Sequence, residues 1–310
     1  MKVIKKIAKI LIVIIIISIT ILVINHISLN IHYLINKHNY KETFSVSGNK
    51  GNYVPQGLSY SSKYNVALQT SYNSKHKVSR LYVTDLKTQK LIKELDLIDI
   101  DDNEYLLHVG GVTTDNNTVW ITNENQVDEF SLEEIMTTTN NFVKSKKSTK
   151  LPIRGDFCLY KNNTLWIGDF FLNPFYKVKD NNPLLLAYDI NNINYDNPKL
   201  IISLPKMVQG MEIDDNNEFL FTTSFTYLIK SNLLIYKDVL KEKPKIYNLN
   251  NKKIPYYEFN KSNLKEKIKL PPMAEGMFYK DNNLYILFES SSDSYKPALP
   301  KLKRVIIFNP

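Results

Sequence analysis

Apolar and polar positions along residues 55–310 recur as one short pattern, met five times. A glycine opens an apolar strand, a polar turn follows, and a second apolar strand ends on a polar residue. The openings are Pro55-Gln56-Gly57, Val109-Gly110-Gly111, Arg154-Gly155-Asp156, Gln209-Gly210-Met211 and Glu275-Gly276-Met277. About fourteen positions past each glycine stand Ser71, Glu124, Asp169, Ser224 and Ser290, the last preceded by Glu289. The turns Asp115-Asn116-Asn117, Asn162-Asn163, Asn216-Asn217 and Asn282-Asn283 predict tight hairpins, because Asn and Asp tolerate left-handed backbone. In the first unit Ser61-Ser62-Lys63 takes that place.

Third strands are predicted over 81–85, 127–132, 185–189, 233–236 and 305–309, each ending in an aromatic and often an Asp or Asn. Fourth strands fall at 90–97, 142–151, 199–204 and somewhere within 245–270. The fifth unit runs out after three strands, and the segment 42–46 ahead of the first unit can complete it. Repeats of one supersecondary unit at this period predict a closed array. The expected fold is therefore an all-β propeller of five four-stranded blades over residues 41–310, its ring closed by an N-terminal strand. Six blades is the alternative, with a degenerate one hidden in 237–270.

Before the repeats, Lys2, Lys5, Lys6 and Lys9 precede an apolar run at 10–24, and no charged residue follows until Lys37. Spanning a hydrocarbon core takes roughly 20 residues. No pair of small residues marks a cleavage site between 23 and 40, so an uncleaved signal anchor is expected rather than a removed leader. The expected organisation is a basic cytoplasmic tail at 1–6, a membrane span at 7–27, a stalk at 28–40 and an extracytoplasmic propeller. The partner this implies is a cell membrane crossed once, with the N-terminus cytoplasmic.

The net charge is +9, and four of those charges are the lysines ahead of the apolar run. The rest are scattered through loops without a basic helix or zinc-finger spacing, so no nucleic-acid partner is expected. Cys158 stands alone in an apolar strand, which excludes an intrachain disulfide and points to a buried, inert thiol. Walker loops, dinucleotide fingerprints and nucleophile elbows are absent from the sequence.

In a propeller blade the first strand starts, and the second ends, on one face beside the channel. This gathers Gln56, His108, Arg154, Gln209 and Glu275 with Ser71, Asn123, Glu124, Asp169, Ser224, Glu289 and Ser290, and sets Asp156 just inside. Carboxylates beside amides suit calcium, with Glu275, Asp169, Asn123, Gln209 and Glu289 as oxygen donors. His108 or Glu289 would then act as the acid or base of a hydrolase. Arg154 is expected to pair with Asp156 or Asp169. Loops on the same face carry Phe170, Phe171, Phe175 and Tyr176, then Phe225 and Tyr227, then Tyr295, which suits flat ligands such as sugar rings. Three functions stay open: a rim that binds a small molecule, glycan or envelope protein, a calcium-dependent lactonase or esterase, and a docking scaffold.

The openings Gln56-Gly57, Gln209-Gly210 and Glu275-Gly276, with their Asn-Asn turns, resemble exported bacterial propellers of the SMP-30/gluconolactonase and strictosidine synthase-like group. The resemblance covers the exported part at the level of blade pattern. It implies six blades and a catalytic calcium held by a Glu-Gly glutamate, an Asn and an Asp. Glu275 matches that motif, and Asn123 and Asp169 correspond by position. The chain departs from the group in carrying Gln56 at the first opening and the Glu-Gly motif only in the last.

Overall fold

Short β-branched and aromatic runs separated by left-handed Asn and Asp turns fold here into antiparallel sheets, each wrapped from the channel outward. The computed structural model describes residues 2–178 and 182–308. After the helix α1 (Lys2–Asn36), β1 (Lys41–Ser45) precedes the first blade, β2 (Tyr53–Ser61), β3 (Val66–Asn73), β4 (Arg80–Asp85) and β5 (Lys90–Ile98). The second blade is β6 (Gly111–Thr114), β7 (Thr118–Asn123), β8 (Gln126–Ser131) and, beyond α2 (Leu132–Thr137) and β9 (Phe142–Lys144), β10 (Lys147–Lys150). The third is β11 (Phe157–Lys161), β12 (Thr164–Gly168), β13 (Leu184–Asp189) and β14 (Leu200–Ser203). The fourth is β15 (Val208–Ile213), β16 (Phe219–Thr223), β17 (Ser231–Tyr236) and, after β18 (Lys245–Leu249) and β19 (Lys252–Glu258), β20 (Leu264–Leu270). The fifth holds β21 (Ala274–Lys280), β22 (Asn283–Phe288) and β23 (Arg304–Phe308).

Ring closure is as expected: β1 pairs antiparallel with β23, with Glu42 opposite Ile306. The inner strands β2, β6, β11, β15 and β21 each touch the next and complete a circuit. Five apolar cores lie between neighbouring blades, one per interface, and the fifth (Phe44, Leu58, Phe278, Leu287, Val305) joins the chain's two ends. The sixth blade, both as an alternative and as the family resemblance implies it, is not present among the described residues. The long stretch within 237–270 instead forms the β18–β19 hairpin, laid in parallel against the outer strand β14. The segment 142–151 also divides, β9 extending the first blade in parallel while β10 completes the second.

The glycines meet a steric demand. A Cβ on Gly276 would stand 2.4 Å from the Leu58 amide nitrogen, and one on Gly111 would stand 2.5 Å from that of Cys158. Inner strands of neighbouring blades therefore approach backbone to backbone around the axis. Threonine hydroxyls bridge these seams: Thr70 accepts from the Gly57 amide at 3.0 Å and donates to the Val109 carbonyl at 2.9 Å. Thr222 donates to the Glu275 carbonyl at 2.7 Å. The last hairpin is shifted by one from its expected position, Asp281 and Asn282 being the left-handed pair. In the first unit the left-handed turn residue is Asn65. Cys158 is buried and burial pushes its thiol up to about 12, in keeping with an inert role.

The apolar helix is long enough to cross a membrane. It continues past the expected span to Asn36, so most of the expected stalk is helical, and Leu29 and Tyr33 are buried against the propeller. Replacing Thr222 with Val keeps the shape but removes the seam hydrogen bond, and should lower unfolding free energy by about 1 kcal/mol. Gly276→Ala forces a Cβ against backbone and should cost about 2 kcal/mol or more. Urea unfolding of the three proteins measures both, and an unaltered midpoint for Gly276→Ala would contradict the close approach.

Candidate ligand-binding site at the channel mouth

Strand direction decides what meets at the mouth. Inner strands begin, and their hairpin partners end, on one face, as the pairings Tyr53↔Asn73, Gly111↔Thr122 and Phe157↔Gly168 show. On that face a cavity of about 320 Å³ is lined by Gln56, Tyr72, His108, Glu124, Arg154, Asp156, Phe170, Tyr176, Gln209, Phe225, Glu289 and Tyr295. Residues more than 230 positions apart thus share one wall, because every blade contributes to it.

Two buried carboxyl groups sit on one side. Gln56 Nε2 donates to Glu289 Oε1, and Gln209 Nε2 donates to Glu275 Oε1 at 3.0 Å. Burial pushes Glu289 up to about 8, against the lowering effect of Gln56. Glu275 is raised well above the usual carboxylate range, first by burial and then by the charge of Glu289. Charge on Glu289 opposes charge on Glu275, so ionising both buried carboxyls is costly. Tyr295 is also raised, mainly by the Glu289 charge, so its hydroxyl remains a donor.

The other side is built on an ion pair. Arg154 Nη2 lies 2.9 Å from Asp156 Oδ1, and Asp156 Oδ2 accepts from the Phe170 amide at 2.7 Å. Burial raises Asp156 despite Arg154. His108 packs at a tilt against Tyr72, with ring centroids 4.5 Å apart. Desolvation, and next the Arg154 charge, hold its imidazole below the ordinary range, so it is neutral at pH 7. Phe170 packs edge-on to Tyr176 at 5.2 Å, and Phe225 stacks on Phe175 at 6.0 Å, which makes a third, aromatic wall.

Among the sequence candidates, Gln56, His108, Arg154, Asp156, Gln209, Phe170, Phe225 and Glu289 meet in this cavity. Ser290 does not line it: the side chain is buried and accepts from the Leu302 amide at 3.3 Å. The expected calcium ligands do not gather. Asn123 turns into its own blade, where its amide donates to the Tyr105 hydroxyl and, at 3.2 Å, to Asp128. Asp169 is buried behind the wall, accepting from the Leu184 amide at 3.3 Å with Oδ1 unpartnered, and Glu275 lies behind Gln209. Among the described residues no group of three or more His, Cys, Asp or Glu is placed to hold a metal ion. Tyr72 was not anticipated, since it follows the polar strand end Ser71 and reads in sequence as an ordinary strand residue.

Because Glu289 titrates higher in the folded chain than its ordinary 4.5, its burial stabilises most below about pH 4.5 and is lost as pH rises through about 8. Melting temperature should therefore fall between pH 5 and 9, and Glu289→Gln should flatten that slope. An equal slope in the variant would mean that Glu289 is not the buried acid.

No protein-family model matches the chain, and no curated protein matches it either. Solved structures similar in shape include the Myxococcus xanthus glutaminyl cyclase, with 8% identity, a TM-score of 0.48, and 87% of this chain and 92% of that one covered. Another is the PQQ-bound aldose sugar dehydrogenase of Streptomyces coelicolor, at 11% identity and a TM-score of 0.49 over 87% of this chain and 97% of that one. A third is the exo-β-1,3-galactanase of Phanerochaete chrysosporium with galactose, at 11% identity and 0.49 over 86% and 62%. Likeness this distant says nothing about activity. The chain is a five-bladed β-propeller preceded by one apolar helix long enough to cross a membrane.

Proposed function

We propose that this protein is a membrane-anchored, extracytoplasmic propeller that binds a small hydroxyl-rich ligand, of which a sugar ring is the best example, at its channel mouth. The observation that carries this reading is the makeup of the 320 Å³ cavity, where aromatic faces stand opposite amides, a neutral imidazole and a protonated carboxyl. Rings with apolar faces and hydroxyl edges use both kinds of wall. The anchor is α1, whose leading lysines favour a cytoplasmic N-terminus.

A hydrolytic role is favoured by one feature, the burial that raises Glu289 to about 8. Glu289 would give its proton to a leaving oxygen, and neutral His108, in the same cavity, would take one from the attacking water. The calcium-dependent lactonase reading from the Glu-Gly resemblance is weaker, since Asn123 and Asp169 are held elsewhere.

The test is thermal unfolding of the detergent-solubilised chain with glucose, galactose, N-acetylglucosamine and their disaccharides. A bound sugar should raise the melting temperature by several degrees at saturation. Phe225→Ala should weaken the response about tenfold. Glu289→Gln should preserve affinity within a few-fold and, if the chain is a hydrolase, abolish release of reducing ends. Calcium and EDTA should leave the unfolding curve unmoved. If none of these sugars shifts unfolding, the sugar-binding reading is wrong.

A further inference from the structure

The path of α1 past the propeller fixes which face looks toward the bilayer. Its C-terminal turns lie beside blades four and five. Tyr33 packs with Leu233 and Leu270, and Tyr40, just beyond the helix, stacks on Tyr33 and approaches Phe308. Toward the N-terminus the helix climbs these strands to the loop joining β16 and β17. There Asn25 Nδ2 donates to the Leu228 carbonyl at 2.8 Å and His26 meets Tyr227 edge-on at 6.0 Å. That loop belongs to the face on which the cavity opens. Everything N-terminal to Asn25 extends beyond this face.

No spacer remains between the face and the membrane. Residues 4–24 rise about 30 Å as helix, the thickness of a hydrocarbon core. The outer boundary of the span therefore falls at Asn25 and His26, level with the β16–β17 loop. Residues expected to form a stalk run back along the propeller's side, and so pull the face toward the lipid.

The loops of the two faces differ in character. Tips on the cavity face expose Leu106, Leu107, Phe175, Phe225, Ile229 and Leu299, with Phe175 71% and Ile229 60% exposed. Exposed Lys177, Lys206 and Lys296 lie on loops of this face, beside the exposed acids Asp101, Asp102, Glu104 and Asp293. On the opposite face the hairpin tips are polar: Asp115, Asn116 and Asn117, Asn162 and Asn163, Asn216 and Asn217, Asp281 and Asn282. Aromatic and aliphatic tips mixed with lysines match the interfacial zone of an anionic bilayer.

From these observations we infer that the propeller rests face-down on the outer leaflet, with the loops bearing Leu106, Phe175, Phe225 and Ile229 dipped into the headgroup region and the channel mouth opening onto the lipid. Where the ligand-binding reading also holds, on which this clause rests, the mouth takes hydroxyl-bearing groups presented at the membrane surface, such as a glycolipid headgroup.

Because the one native cysteine is buried, new surface cysteines can be labelled selectively. Full-length Phe175→Cys, Ile229→Cys and, as the opposite-face control, Asn282→Cys would carry an environment-sensitive fluorophore. They are reconstituted into vesicles of phosphatidylethanolamine and phosphatidylglycerol containing doxyl-labelled lipid. Labels at 175 and 229 should lose at least half of their emission to the doxyl lipid and be shielded from aqueous iodide, with the reverse at 282. Iodide quenching at all three positions would overturn the orientation. A variant that unfolds is recognised by its circular dichroism, and the other mouth-face position then decides. No ligand enters the measurement, so its outcome stands apart from that of the sugar titration.

Discussion

The pairing of β1 with β23 brings residue 42 against residue 306, and the rest of the molecule depends on that contact. It supplies the fifth blade with its outer strand and so helps to cover the two apolar blade faces that a linear array would leave exposed. It also creates the fifth inter-blade core, around Phe44, Leu58 and Phe278. Without closure the inner strands would not be pressed into the tight circuit in which Gly276 meets Leu58. The strand is also the direct continuation of the apolar helix, so one contact sets both the channel and the direction in which the helix leaves.

The site follows from this geometry. Glycines that let backbones touch at the axis leave the flanking positions Gln56, Arg154 and Gln209 at the channel rim, with Glu275 buried behind Gln209. Blade one lends Gln56 to Glu289 of blade five, and blade four lends Gln209 to Glu275. Each hydrogen bond crosses a blade boundary, which ties proton-holding chemistry to assembly of the ring. The opposite wall is local by contrast, with Arg154 and Asp156 two residues apart. Stability and site chemistry pull against each other at the buried acids: low pH favours the fold there, and raising the pH drives charge into the wall.

Much of this was legible in the chain. A hairpin periodicity marked by glycine and Asn pairs specifies blades because each unit's strands pair mainly with one another, and 42–46 stood out as an unpaired strand. The gathering of Gln56, His108, Arg154, Gln209 and Glu289 was also readable, since strand direction alone sends those positions to one face. Tyr72 was not: alternation places it, but nothing in the sequence says that the adjoining loops leave it open to the cavity. Counting along the strand places Asn123 at the channel, whereas Tyr105 and Asp128 hold it inside the blade.

Sequence by itself determined the repeat, the apolar helix, the closing strand and the residue types at the rim, because these rest on local periodicity and turn chemistry. Tertiary structure alone decided that the 245–258 segment is a hairpin on blade three, that Glu275 and Glu289 are buried where burial raises both, and that the residues after the apolar run fold back along the propeller. These outcomes depend on which distant surfaces meet and how much water they exclude. Burial and proximity are properties of the closed ring, and no stretch of chain carries them alone.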